Sequence, residues 1–185
     1  MPSLPPTPRR RPRHLLTLAL ALAVGWGAAP ALAQADGWLD LPLTDAATGE
    51  PFALRDLDGS VVLVETMATW CGNCRRQLGH LREAAAVLGG EAAPGVAVVY
   101  LVISVERGLD PGALVAYAER EGFEFRLVVA DDALLRALAD RFGRAVLSPA
   151  STPHLVVARD GSVGPLTTGF TSPATLVAWL QAAAR

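Results

Sequence analysis

The sequence predicts an α/β domain: a central mixed β-sheet flanked by helices. Two observations carry this. Between residues 61 and 142, apolar β-branched runs alternate with segments of helical periodicity, the pattern of strand–helix–strand units. Towards the C-terminus the alternation gives way to a strand, a tight turn and a last helix, which adds an antiparallel element. No internal repeat or low-complexity segment follows the first 33 residues, and the 152 residues after them suffice for one domain with its own core.

Each element has a local cause. Leu39 to Leu43 and Pro51 to Leu54 are short apolar segments around the turn-rich Asp45-Ala46-Ala47-Thr48-Gly49, which predicts an N-terminal hairpin. Asp58-Gly59 turns the chain into Val61–Thr66, apolar on both faces as a covered central strand should be. Leu78, Leu81, Ala85 and Leu88 share one face of a helix over 74–88, which Gly89-Gly90 ends. A second buried strand spans Val96 to Ile103. Asp110-Pro111 caps and starts a helix that runs to Glu121-Gly122. Phe125 to Val129 is the third strand, and Asp131 and Asp132 open a helix closed after Phe142 by Gly143. The turn-rich Ser148–Pro153 leads into a strand over His154 to Ala158, and Arg159-Asp160-Gly161-Ser162 forms a hairpin turn. The last helix starts at Ser172-Pro173 and is expected to bury Leu176, Val177, Trp179 and Leu180.

Residues 1–33 read as an export signal. Arg9, Arg10, Arg11 and Arg13 form a basic region, Leu15 to Ala29 an apolar one, and Ala31-Leu32-Ala33 a small-x-small cleavage site, leaving 34–185 as the mature domain. An uncleaved membrane anchor is the competing reading, since Leu15 to Ala33 is an uncharged run near the minimum spanning length. Both place the domain outside the cytoplasm, periplasmic or otherwise extracytoplasmic, where disulfides persist. The leader holds four arginines and no acid, so a net charge of −2 for the chain becomes −6 for the domain. That balance argues against nucleic acid as a partner.

The chemistry is concentrated in Trp70-Cys71-Gly72-Asn73-Cys74, which holds both cysteines of the chain between a strand and a helix. Unpaired N–H groups and the positive end of the helix dipole stabilise a thiolate at Cys71, and Cys74 is one turn away, in reach of a mixed disulfide formed there. A structural bridge across two residues would restrict the unfolded chain little. Zinc would need more ligands than the two thiols, His80 and His154 readily supply. A redox disulfide Cys71–Cys74 is therefore expected, with no metal and no cofactor. Cys71 is the expected exposed nucleophile and Cys74 the buried resolving thiol.

The order of elements, the Ala68-Thr69-Trp70-Cys71-Gly72-Asn73-Cys74-Arg75 segment, Phe52–Gly59 leading into Val61–Val64, and Thr152-Pro153 with Arg159-Asp160-Gly161 together resemble the thioredoxin superfamily. Within it they are most similar to the extracytoplasmic TlpA/ResA-type branch. The resemblance covers nearly all of the chain after the leader and implies a thioredoxin fold with an N-terminal hairpin extension. The activity it implies is that of a thiol-disulfide oxidoreductase, a reductant of partner proteins in cytochrome c maturation or metal-centre assembly. It further implies a monomer acting on cysteine-containing protein substrates and supplied with electrons by a membrane thiol-disulfide donor. Pro153 would be a cis-proline lying against the cysteines, and Trp70, Thr152 and Pro153 would bind substrate in an extended, strand-like mode.

Two departures from the family pattern matter. Glu65-Thr66-Met67 replaces a polar residue followed by aromatics, and Gln77 and Gly79 stand where related reductases often have Glu and Pro. Glu65 lies six residues before Cys71, at the position of the buried acid of thioredoxins. Alternation puts it on the face of Val61 and Leu63, and a buried carboxylate there could take the proton of Cys74. A peroxidase is disfavoured by Ala68, where the peroxiredoxin pattern has Thr. The alternative to a reductase is a copper-binding metallochaperone of the Sco type, in which His154 would join the thiols, while His80 reads as a surface residue.

Overall fold

The structure, a computed structural model, describes residues 36–185, so the expected leader lies outside the described residues. Seven strands are β1 (Leu43–Thr44), β2 (Pro51–Phe52), β3 (Val61–Met67), β4 (Glu91–Ala93), β5 (Val96–Ser104), β6 (Arg126–Val129) and β7 (His154–Val157). Four helices are α1 (Gly72–Leu88), α2 (Pro111–Glu121), α3 (Asp132–Phe142) and α4 (Pro173–Ala183). None of them is long and apolar enough to cross a membrane.

β3 is central. It runs parallel to β5, from Val61 opposite Val98 to Met67 opposite Ser104, and antiparallel to β7, where Glu65 faces His154. β5 pairs on its far edge with β6 in parallel near its end and with the short antiparallel β4 near its start. The result is the mixed sheet expected, with β1 and β2 as a separate hairpin. Its turn is held by Asp45, whose Oδ1 accepts from the amides of Ala47 and Thr48. Helix starts follow side-chain chemistry: Asp110, Asp131 and Ser172 each accept from an amide three residues on.

Alternation along β3 divides the core. Val61, Leu63 and Met67 point to a first face covered by α1, α2 and α4; Val62 and Val64 point to a second, covered by α3, Trp38 and Leu39. In β5 and β7 the same parity holds: Tyr100 and Val102 belong to the first face, and Leu101, Leu155 and Val157 to the second.

Three expectations are corrected, and one strand is added. Gly37–Asp40 winds into a 3-10 turn that buries Trp38 and Leu39 instead of extending the hairpin. β4 went unpredicted, although Pro94-Gly95 marks the turn into β5. After the Arg159–Ser162 turn the returning chain makes only isolated bridges, Val163 to Val157 and Thr167 to His154, because Pro165 has no N–H to give a ladder. In α4, Leu176 and Leu180 are buried, whereas Val177 is half-buried and Trp179 exposed. The Trp179 ring instead lies along the outer side of His154, centroids 6.1 Å apart.

Candidate active site

α1 begins at Gly72, two residues earlier than the periodicity predicts, because Cys71 is its N-cap: the Cys74 amide donates to Cys71 Sγ at 3.1 Å. The two cysteines are joined in a disulfide, with Cα atoms 5.3 Å apart. Their surroundings differ. Cys71 lines a surface crevice and takes an N–H, a contact that stabilises negative charge on its sulfur. Cys74 Sγ lies 3.1 Å from the carbonyl oxygen of Pro149, so that in the dithiol form its S–H is placed to donate and keep its proton. Cys71 is 5% exposed and Cys74 not at all. Cys71, expected to be exposed, is thus also buried in the disulfide; the exposed neighbour is Trp70, at 70%.

Asn73 gives the dipeptide between the cysteines a structural role. Its Nδ2 donates to Ala150 O at 2.9 Å, tying the start of α1 to the Pro149–Ser151 turn. On the opposite side, Glu106 accepts from the Thr69 amide at 2.7 Å and from its hydroxyl at 3.3 Å, holding the chain just before the motif.

Glu65 is fully buried on the first face, as alternation predicts, and neither carboxyl oxygen has a hydrogen-bond partner among the described residues. Burial pushes its acid well above the ordinary carboxyl range. Directly across β7 sits His154, also buried, its Nδ1 2.9 Å from Thr152 O and its Nε2 2.8 Å from Thr171 Oγ1. Burial lowers the imidazole's affinity for a second proton, and the Thr152 carbonyl partly restores it. Thr171 also donates its amide to Gln77 Oε1 at 3.0 Å, and Gln77, one turn beyond Cys74, is itself fully buried. A chain of polar groups, Gln77–Thr171–His154–Thr152, thus lies on the same face as Glu65 and the disulfide.

No family model and no curated protein matches the sequence. Solved structures do match. A thiol:disulfide interchange protein of the thioredoxin family from Chlorobium tepidum TLS superposes with a TM-score of 0.59 at 20% identity, over 78% of this chain and 93% of that one. A secreted Mycobacterium tuberculosis disulfide oxidoreductase homologous to E. coli DsbE gives 0.60 at 19%, over 80% and 98%. BsSco, of the Sco family of cytochrome c oxidase assembly proteins, gives 0.60 at 17%, over 78% and 91%. The chain has the thioredoxin fold.

Within that thioredoxin fold, the Thr152-Pro153 expectation needs correction. There is no cis peptide bond among the described residues. The chain reverses instead through Thr152, whose φ of 48° is left-handed, a strained setting for a β-branched residue preceding proline. The Pro149–Ser151 turn delivers it into this conformation, and the Thr152 amide donates back to Pro149 O at 2.8 Å. Its carbonyl is taken by His154. Both main-chain groups needed for strand-like pairing with a substrate are therefore already used, and Thr152 and Pro153 are buried. The atoms that touch the cysteine motif come from Pro149 and Ala150.

The histidines also differ from expectation. His80 is half-buried, with Nδ1 2.9 Å from Thr171 O. Both ring nitrogens of His154 are engaged, which leaves neither for a metal, and no group of three His, Cys, Asp or Glu among the described residues is arranged to hold one. Sequence reasoning noted Gln77 as a departure from the family pattern but missed its bond to Thr171, and missed Thr171 altogether. For Gln77 the signals were its place where related reductases often have Glu and its position on the inward side of a helix that otherwise buries apolar residues; Thr171 gave none.

Proposed function

We propose that the protein is a thiol-disulfide oxidoreductase, an exported enzyme that reduces disulfides of partner proteins. The observation that carries this reading is the inequality of the two sulfurs: an N–H donor at Cys71 favours thiolate there, and a carbonyl acceptor at Cys74 favours a retained proton. In the reaction, the Cys71 thiolate attacks one sulfur of a partner disulfide, forming a mixed disulfide and releasing the other partner sulfur as thiolate. Cys74, giving up its proton, then attacks Cys71 Sγ. The second partner sulfur leaves as a thiolate, and Cys71–Cys74 closes; two electrons pass to the partner, whose thiolates take their protons from solvent.

Glu65 is the proposed acceptor of the Cys74 proton. Its acid, made less acidic by burial, is a stronger base when ionised than an exposed carboxylate. Trp70, exposed beside Cys71, is the proposed substrate contact. Resemblance at the motif supports the TlpA/ResA-type reading, in which residues 1–33 are a leader, residues 34–185 act outside the cytoplasm as a monomer, and a membrane thiol-disulfide donor re-reduces the pair for cytochrome c maturation or metal-centre assembly.

Alkylation of the reduced protein at neutral pH, followed by peptide mapping, tests the reading. Label should appear on Cys71 at least about tenfold faster than on Cys74, a difference of roughly 1.4 kcal/mol between the two sites. Equal labelling, or Cys74 first, would remove it.

A further inference from the structure

The outward side of α1 next to the disulfide carries positive charge that the helix itself does not favour. Arg75 and Arg76 are the fourth and fifth residues of α1, whose first turn holds no acid, although the positive end of a helix dipole is better matched by carboxylates. They stand in a domain whose net charge is −6 after the leader.

These arginines line two adjoining cavities. A groove of about 410 Å³ runs along Gly72, Arg75, Arg76, Gly79 and Arg82, and it shares Gly72, Arg75 and Glu121 with a crevice of about 270 Å³ that includes Trp70, Cys71 and Arg120. Glu121 is the one carboxylate lining either space. It meets Arg75 at 3.9 Å and Arg120 at 3.6 Å, too long for good hydrogen bonds. Arg76 lies over the ring of Phe170, 4.8 Å from its centroid, and has no carboxylate within salt-bridge distance among the described residues. Arg82 is held by Glu121 O at 3.0 Å and by the ring of Phe123. Four guanidinium groups thus face one carboxylate. Glu106, the acid that holds the chain just before the motif, has its oxygens committed to Thr69 and Ser104.

Gly79 gives an independent indication. A side chain there would meet nothing within 4 Å, so packing does not demand glycine, yet glycine inside a helix costs about 1 kcal/mol against alanine. Its effect is to leave the floor of the groove open.

We propose that this groove and crevice dock an extended acidic segment of the protein substrate, with carboxylates beside its cysteine meeting Arg75, Arg76, Arg82 and Arg120 while its sulfur is delivered to Cys71. The proposal rests on the thiol-disulfide reading and deepens it: it names the charge of the substrate. It also supplies a docking surface where the Thr152 main chain offers none. Arginine suits the task because its planar fork pairs with carboxylates in a bidentate way.

The test uses the reduced full chain and three peptides, each a disulfide-linked dimer, differing only in acidic, neutral or basic residues flanking the cysteine. At about 0.01 M ionic strength the acidic peptide should be reduced about tenfold faster than the neutral one, and at about 1 M the two rates should converge. In Arg76→Glu/Arg82→Glu the acidic-to-neutral ratio, taken within the variant, should fall below one. A wild-type ratio near one at low salt, or a preference that survives high salt, would overturn the docking surface while leaving the redox reading intact, and needs no variant to fold. Failure of the wild type to reduce even the neutral peptide would overturn both.

Discussion

The two faces of the central sheet are built from alternate residues of the same strands, yet they obey different rules. The second face is a conventional apolar core: Val62, Val64, Leu101 and Ile103 pack on Leu134 and Leu138, and the polar residue that β3 inserts there, Thr66, gives its hydroxyl to Val146 O. The first face holds Leu63, Leu78 and Leu81 beside a disulfide, a carboxyl group without a partner among the described residues, a buried histidine and a buried glutamine. Glu65 and Thr66 are adjacent in sequence, and one is satisfied while the other is not. A buried polar group without a hydrogen bond is costly; among the described residues the second face leaves the Trp38 indole N–H so, whereas the first leaves the Glu65 carboxyl, the Gln77 amide nitrogen and the Tyr100 and Tyr117 hydroxyls, and that excess marks the face where stability is traded for chemistry.

The comparison predicts that damage will separate by face. Leu138→Ala, on the second face, should cost about 2–5 kcal/mol by urea denaturation, through lost burial and a cavity, while the folded variant exchanges thiols at the wild-type rate. A slowed exchange would mean that the faces are not independent. His154→Phe, on the first face, should cost less, about 1–3 kcal/mol, because it strips the buried Thr152 carbonyl and Thr171 hydroxyl of their partner. It should also alter exchange, since Thr152 follows the turn that contacts both Cys74 and Asn73.

The pH dependence of stability should come from the first face. Glu65 binds its proton more tightly folded than unfolded, so its contribution is complete below about pH 4.3 and is lost as pH rises towards its folded value. For His154 the sign is opposite: burial depresses its affinity, and stability is lost as pH falls from about 6.5 towards the folded value. Glu65→Gln should therefore flatten the decline on the alkaline side and leave the acid limb. It should also slow resolution of the mixed disulfide by Cys74 near neutral pH while barely changing attack by Cys71. Unchanged resolution would return Glu65 to a merely buried residue. The smallest effect is expected outside both faces: Gly79→Ala should stabilise α1 by about 0.5–1 kcal/mol, since the new methyl group meets nothing.

What the sequence made legible follows from how local each cause is. The caps Asp110, Asp131 and Ser172 act within three residues, the motif spans five, and the placement of Glu65 needs only the period of a strand, so each could be read from a short window. Gln77, His154 and Thr171 meet only because α1, β7 and the entry to α4 converge, and nothing near any of them signals that. The Thr152-Pro153 conformation escaped for a related reason. The preceding turn and the His154 ring hold Thr152 in a left-handed conformation that its own type disfavours, so tertiary contacts override the local preference.

The most direct test of the central claim, that Cys71 attacks and Cys74 resolves, is to incubate Cys74→Ser and Cys71→Ser, each reduced, with a disulfide-linked peptide and weigh the products intact. Cys74→Ser should accumulate a stable adduct of the protein with one peptide, because no second thiol remains to release it, while Cys71→Ser should accumulate little, its one sulfur being fully buried. Equal adducts in both variants, or an adduct only in Cys71→Ser, would contradict the assignment.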